Sequence, residues 1–221
     1  MSTESKISPP ATRRGRPAGR TALQEERHRK NRMAILQAAE TVFSKTPYVR
    51  ATIDELIAAA GVSRATFYAH FESKYALALA SYDGIRDDWI DHCNALPDIA
   101  ADDTAGFARW ITRLADLYVE HGFVTPLVTQ LQIFEPGFRQ RLIDERHALI
   151  ERLAEAGLGG FAQTRGSEDI ARLHHARAEL LLKRIDLICS EITTPDLCSP
   201  ATAERYVRIA AEELVDFIKS S

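Results

Sequence analysis

From Glu25 to the C-terminus, apolar residues recur at three- and four-residue spacing and no stretch sustains a period of two. Such a chain can bury its side chains only as packed helices, so an all-α fold is expected. Leu36, Ala39 and Phe43, with Ile35 and Val42 beside them, predict a first amphipathic helix over 25–45 that Thr46-Pro47 stops. Thr52 followed three residues later by Glu55 is a capping box, which opens a second helix running to Ala60. Gly61 suits the left-handed position that closes a helix, and Ser63 can cap a third over 64–71. Further helices are expected near 73–95, 103–121, 126–134, 137–156, 167–192 and 200–219.

Two short helices across a tight glycine turn are the minimum device for presenting a helix to the major groove of DNA. In 64–71, Phe67 and Phe71 lie four apart and can face a core, which leaves Arg64, Ala65, Thr66, Tyr68 and His70 on other faces. Arg64 has the fork geometry for guanine O6 and N7, and Thr66 and the alanine methyls suit base edges or a thymine methyl. Tyr68, His70 and Lys74 can donate to phosphates. Packing roles for Tyr68 and His70, and a merely solvated Lys74, stay open.

Charge supports a polyanionic partner. Residues 1–80 hold 13 Lys or Arg against 7 Asp or Glu, leaving 15 against 24 over 81–221. One end is suited to meet nucleic acid and the rest to avoid it. Residues 1–24 lack apolar periodicity and are expected to form a disordered basic arm. Within it, Arg13-Arg14-Gly15-Arg16-Pro17 is slim and extended and resembles an AT-hook core, so Arg14 and Arg16 can enter a narrow minor groove. A solvated tail with nonspecific phosphate attraction is the alternative.

The stretch Thr-Ile-Asp-Glu-Leu-Ile-Ala-Ala-Ala-Gly-Val-Ser-Arg-Ala-Thr-Phe-Tyr-Ala-His-Phe-Glu-Ser-Lys, from Thr52 to Lys74, follows the Ile-Leu-x-Ala-Ala-x-x-x-Phe pattern of 35–43. Together they resemble the DNA-binding domain of the TetR family of repressors over about residues 30–80. The sequence departs from that family's usual pattern at Pro47, Ile57 and Ala65. The resemblance implies a homodimer that binds double-stranded DNA at a palindromic operator, with Thr52, Ser63, Arg64, Ala65, Thr66, Tyr68, His70 and Lys74 at the DNA. It also implies a small-molecule effector held by a C-terminal helical domain. The expected division is a helix-turn-helix domain at 25–72 and a ligand-binding and dimerisation domain at 73–221.

Within that second part, Trp89, His92, Cys93, Phe107, Trp110, Tyr118, His121, Phe134 and Phe138 are candidate pocket residues, aromatic with a few polar groups. Leu180-Leu-Leu-Lys-Arg-Ile-Asp-Leu-Ile is apolar on more than one side of its helix, so one side can face its own core and another a partner subunit. Leu181, Ile185 and Ile188, with Val207, Leu214 and Phe217 of the last helix, are the candidate dimer residues in an isologous four-helix interface. Completion of a monomeric core is the alternative.

Other chemistries find little support. Cys93, Cys189 and Cys198 are odd in number and widely spaced, which fits packing thiols rather than disulfides or a zinc ribbon. The adjacent His174 and His175 point about 100° apart on a helix and chelate poorly. Gly157-Leu-Gly159-Gly160 follows a helix rather than a strand, so it reads as a flexible loop and not a dinucleotide site. Asp87-Asp88 reads as a solvated face and Asp102-Asp103 as a helix start. Neither a cofactor nor a metal is expected. The sequence has no run of about eighteen uncharged apolar residues and a polar N-terminus, so a cytoplasmic protein away from membranes is expected. A ligand-independent regulator, a helical enzyme with an appended DNA-binding unit and an architectural DNA protein remain as alternatives.

Overall fold

A computed structural model describes residues 22–220 except Ser167 and Pro195. Among the described residues the regular structure is helical throughout. Helix α1 spans Ala22–Phe43, α2 Ile53–Ala60, α3 Arg64–Tyr68 and α4 Lys74–Asn94. A 3₁₀ turn at Leu96–Asp98 leads to α5 at Thr104–Glu120, α6 at Val124–Phe134 and α7 at Pro136–Glu155. The single turn α8, Gly159–Ala162, precedes α9 at Asp169–Thr193 and α10 at Pro200–Lys219.

Local chemistry explains most of these boundaries. Ser73, Asp103 and Ser199 cap α4, α5 and α10 by accepting the backbone N–H of Ala76, Gly106 and Thr202. Pro136 and Pro200 occupy first helical positions, where the missing N–H costs nothing.

Three boundaries differ from the sequence-based expectation. Helix α1 already includes Ala22, the first described residue, so residues 22–24, assigned above to a disordered arm, are helical. Helix α3 ends at Tyr68, three residues early, because the N–H groups of His70 and Phe71 both fold back on the Phe67 carbonyl. The supposed flexible loop at 157–162 is a packed turn. A Cβ on Gly159 would sit 1.8 Å from the Ile218 carbonyl oxygen, and one on Gly160 2.1 Å from that of Phe217. These glycines let α8 approach the α10 backbone, and Phe161 fills the space behind them, edge-on to Phe217 at 4.9 Å.

Two apolar clusters form. One joins Ile35, Ala39 and Phe43 of α1 to Leu56, Phe67, Phe71 and Leu77, and continues into Phe123, Val124, Leu127 and Leu131 at α6 and Phe138 of α7. The other is built from α5, α7, α9 and α10 around Phe107, Ile111, Ile150, Ile185 and Leu214. Helix α6 therefore belongs to the core that carries α2 and α3. Among the described residues, no helix is long and apolar enough to cross a membrane.

Candidate DNA interface and effector cavity

The α2–α3 unit is held by reciprocal local bonds. Thr52 Oγ1 accepts the Glu55 N–H at 3.2 Å, and Glu55 Oε2 accepts the Thr52 N–H at 2.7 Å, which completes the capping box. Those bonds from Thr52 hold the Glu55 carboxyl below its ordinary pKa. At the other end, Gly61 has φ 63°, and its N–H and that of Val62 return to Ala58 and Ile57. This paired closure is a Schellman motif. Ser63 then caps α3 through the Thr66 N–H at 3.1 Å, and the two hydroxyls lie 2.9 Å apart.

Phe67 and Phe71 are buried, as their spacing predicts, with relative exposures of 0% and 3%. Thr52, Ser63, Arg64, Ala65 and Tyr68 are exposed, and Thr66 is half-buried. One outward surface thus carries a guanidinium, a phenol, three hydroxyls and a methyl. Arg64 Nη2 lies 3.3 Å from Asp54 of α2, with both side chains mostly in solvent. An exposed pair of this kind is worth little, so it can orient the guanidinium while leaving it easily displaced.

His70 and Lys74 sit differently. The His70 ring is half-buried and stacks on His28 of α1 at a centroid distance of 4.0 Å. It faces α1 as well as the surface, because α3 has already ended. Lys74 is turned inward: Nζ donates to the carbonyls of Tyr48 and Ala51, both at 2.7 Å, and lies 4.6 Å from the Tyr48 ring centre. Burial lowers its pKa. An ammonium has three N–H donors, so one remains after both carbonyls are satisfied. Sequence spacing missed this role in closing the 46–51 turn. Arg14 and Arg16 lie outside the described residues.

That turn is also tied to α6. The Tyr48 hydroxyl donates to Glu135 Oε1 at 2.8 Å, and the Val49 N–H donates to Gln130 Oε1 at 3.2 Å. Burial and the Glu135 carboxylate raise the Tyr48 pKa far above the usual phenol value.

On its other side α6 helps enclose a cavity of about 490 Å³. Val128, Thr129 and Gln132 face it from α6, and Tyr82, Arg86 and Trp89 from α4. Tyr118 and His121 close one side, Leu142, Glu145 and Arg146 of α7 another, and Lys183, Asp186 and Leu187 of α9 a third. Of the nine candidate pocket residues, Trp89, Tyr118 and His121 line it. His92, Cys93, Phe107, Trp110, Phe134 and Phe138 do not. His92 stacks on Trp110 at 4.8 Å, its Nε2 lies 3.0 Å from the Trp110 carbonyl oxygen, and the indole N–H returns to the His92 carbonyl. This locks the pair as packing between α4 and α5. Cys93, Phe107 and Phe138 are consumed by the cores, and burial pushes the Cys93 thiol up to about 12. Phe134, at 56% exposure, points away from the cavity to the surface. Asp88, expected on a solvated face, is exposed there and also borders the cavity, 3.2 Å from His121 Nε2.

The polar half of the wall escaped the sequence reading. Asp186 accepts from Tyr118 at 3.2 Å and pairs with Arg146 at 3.4 Å, and burial raises its pKa. Tyr82 donates to Glu145 at 2.6 Å, and Arg86 lies 3.0 Å from the same carboxylate. The available signal was an aspartate inside the apolar run 180–188.

The predicted dimer residues also need correction. Leu181, Ile185, Ile188, Leu214 and Phe217 are all at or below 9% exposure within one chain, consumed by its own core, and Val207 is half-buried against the same core. The outward apolar stripe instead carries Leu173, Leu180 and Leu187 of α9, each more than half exposed, with Tyr206 and Ile209 of α10.

Among known proteins, residues 35–81 match the model of the bacterial regulatory proteins of the tetR family. A curated relative, the HTH-type transcriptional regulator EthR of Mycolicibacterium smegmatis, is 28% identical over 144 residues, which is 63% of this chain and 61% of that one. The alignment thus spans less than two thirds of the relative's length. Solved structures share the fold. A transcriptional regulator from Aquifex aeolicus has a TM-score of 0.59 at 15% identity, covering 82% of this chain and 98% of that one. The TetR-family regulator PfmR of Thermus thermophilus has a TM-score of 0.52 at 22% identity, covering 82% and 97%.

Proposed function

We propose that this chain is a TetR-family DNA-binding transcriptional regulator acting as a cytoplasmic homodimeric repressor that a small molecule releases from a palindromic operator, a reading supported by the match of residues 35–81 to the tetR-family model. Residues 25–72 form the DNA-binding unit, and 73–221 hold the effector and the partner subunit. Arg64 and Thr66 read base edges while Thr52, Ser63, Ala65, Tyr68 and the third Lys74 donor set the register on phosphates. His70 supports α3 against α1, and Arg14 and Arg16 reach the minor groove.

The observation that carries the release reading is the double use of α6. One face lines the cavity through Val128 and Thr129, while Leu127, Leu131 and Gln130 join the core and turn beneath α2 and α3. A ligand that displaces α6, or the cavity-lining part of α4, also displaces the turn leading into Thr52. Two α3 helices must enter major grooves roughly 34–36 Å apart, so a small rotation of each subunit spoils the fit. The exposed stripe of Leu173, Leu180, Leu187, Tyr206 and Ile209 supplies the isologous surface for the partner.

The test is a ligand screen by thermal shift followed by operator titration. Compounds that stabilise the protein should weaken operator binding, and substituting Val128 with Trp to fill the cavity should abolish both effects. Ligand-independent operator affinity across every stabilising compound would reject release. Sedimentation of Leu173→Glu/Leu180→Glu as a monomer would support the stripe, and an unchanged dimer would reject it.

A further inference from the structure

The cavity wall carries six formal charges, three positive and three negative: Arg86, Arg146 and Lys183 against Asp88, Glu145 and Asp186. Each is already engaged within the protein. Arg86 faces Glu145 at 3.0 Å, Arg146 faces Asp186 at 3.4 Å, Asp88 meets His121, and Lys183 is held by Glu179 one turn away on α9. The most buried of these pairs is Arg146 with Asp186, whose side chains are only 20% and 25% exposed. Tyr118 adds a second bond to Asp186. The remaining surface combines apolar and aromatic side chains, among them Trp89, Val128 and Leu142, with the uncharged polar Thr125, Thr129, Gln132 and Ser190.

We infer that the cavity takes an uncharged, largely apolar molecule, and that Asp186 sets this preference by neutralising Arg146. The inference rests on the cavity being the effector site proposed above. A carboxylate entering the cavity would find Arg146 already matched and would lie beside Asp186. A ligand ammonium would meet the same obstacle from Arg146. Either would exchange full hydration for an unpaired position in a poorly solvated space, which is costly. A hydroxyl or carbonyl brings no such penalty, because a guanidinium offers five donors and Asp186 takes only one here.

Asp186 is the specificity-determining group because its removal changes the charge of the deep wall while keeping its shape. Asp186→Asn preserves an acceptor for Tyr118 and leaves Arg146 uncompensated, which creates an anion site. Arg146→Met leaves Asp186 uncompensated and creates a cation site.

The probes are decanol, decanoate and decylamine, matched in chain length and different in charge, titrated against the whole 221-residue chain by calorimetry and by fluorescence of its two tryptophans, Trp89 at the cavity and Trp110 in the core. The wild type should bind decanol at least about tenfold more tightly than either ion, the factor expected of a modest unpaired-charge penalty. Asp186→Asn should raise decanoate affinity relative to decanol by about tenfold, and Arg146→Met should do so for decylamine. Wild-type binding of either ion as tightly as decanol, no binding of decanol, or an unchanged order in folded Asp186→Asn would each overturn the inference. If Asp186→Asn fails to fold, the wild-type comparison alone decides the charge preference. Operator affinity is read in parallel. Decanol occupancy with no effect on operator binding contradicts release and leaves the charge preference standing. Decanoate binding that releases operator does the reverse.

Discussion

Replacing Tyr48 by Phe removes one oxygen and leaves the ring, so it isolates the bond between the 46–51 turn and the start of α7. The hydroxyl donates at 2.8 Å to a carboxylate in a half-buried setting, with Lys74 nearby. Hydrogen bonds to charged acceptors contribute about 1.5–3 kcal/mol, and partial solvent access to Glu135 places this one near the lower end, about 1.5 kcal/mol. The ring packs tilted against Phe43 at 6.0 Å, and that contact survives the substitution. Glu135→Gln keeps an acceptor and should cost less, about 0.5–1 kcal/mol. Urea unfolding followed by circular dichroism measures each change, and a cycle of Tyr48→Phe, Glu135→Ala and the double variant gives the coupling. A coupling of about 1 kcal/mol is expected, because both single changes break the same bond. Additive effects, or Tyr48→Phe as stable as wild type, would refute the link between the turn and α6–α7.

Gly160→Ala should destabilise by about 2 kcal/mol or more in the same assay while leaving operator affinity intact, since the added methyl collides with the α10 backbone. Thr52→Ala should cost about 1 kcal/mol through loss of the cap and also weaken operator binding, which filter binding can measure. Stability should fall as pH rises above about 10, because Tyr48 and Tyr82 keep their protons in the fold far longer than unfolded tyrosines do. Below pH 10 these two phenols are protonated in both states and contribute no slope. Alkaline denaturation of Tyr82→Phe should show a shallower loss, and identical curves would contradict the assignment.

How far the sequence could be read depended on the range of the interaction. The capping box at Thr52 and Glu55, the Gly61 closure and the Ser63 cap are settled within four residues of chain, and the structure places all three as expected. The inward faces of Phe67 and Phe71 follow from their four-residue spacing. Helix α9 shows where such reasoning stops. Leu181, Ile185 and Ile188 form one stripe and Leu173, Leu180 and Leu187 another, both at helical spacing. Only packing against α5 and α10 decides which stripe faces inward. The cavity was hidden for a related reason. Its wall is assembled from α4, α5, α6, α7 and α9, and several of its polar members are compensated by partners distant in sequence, as Arg146 is by Asp186. Aromatic character alone therefore chose Phe107 and Trp110, which are core, and passed over Asp186. Likewise nothing local to Lys74 revealed that it bonds the carbonyls of Tyr48 and Ala51.

The central claim is that α2 and α3 deliver sequence-specific recognition, and the most direct measurement is a titration of the purified protein against an operator recovered by selection from genomic DNA. Fluorescence anisotropy, run beside a scrambled duplex at two salt concentrations, should show at least about 10³-fold tighter binding to the operator. Arg64→Ala should reduce that ratio about tenfold or more while leaving affinity for the scrambled duplex less affected. Equal affinity for both duplexes, or an Arg64→Ala protein that discriminates as well as wild type, would contradict the account.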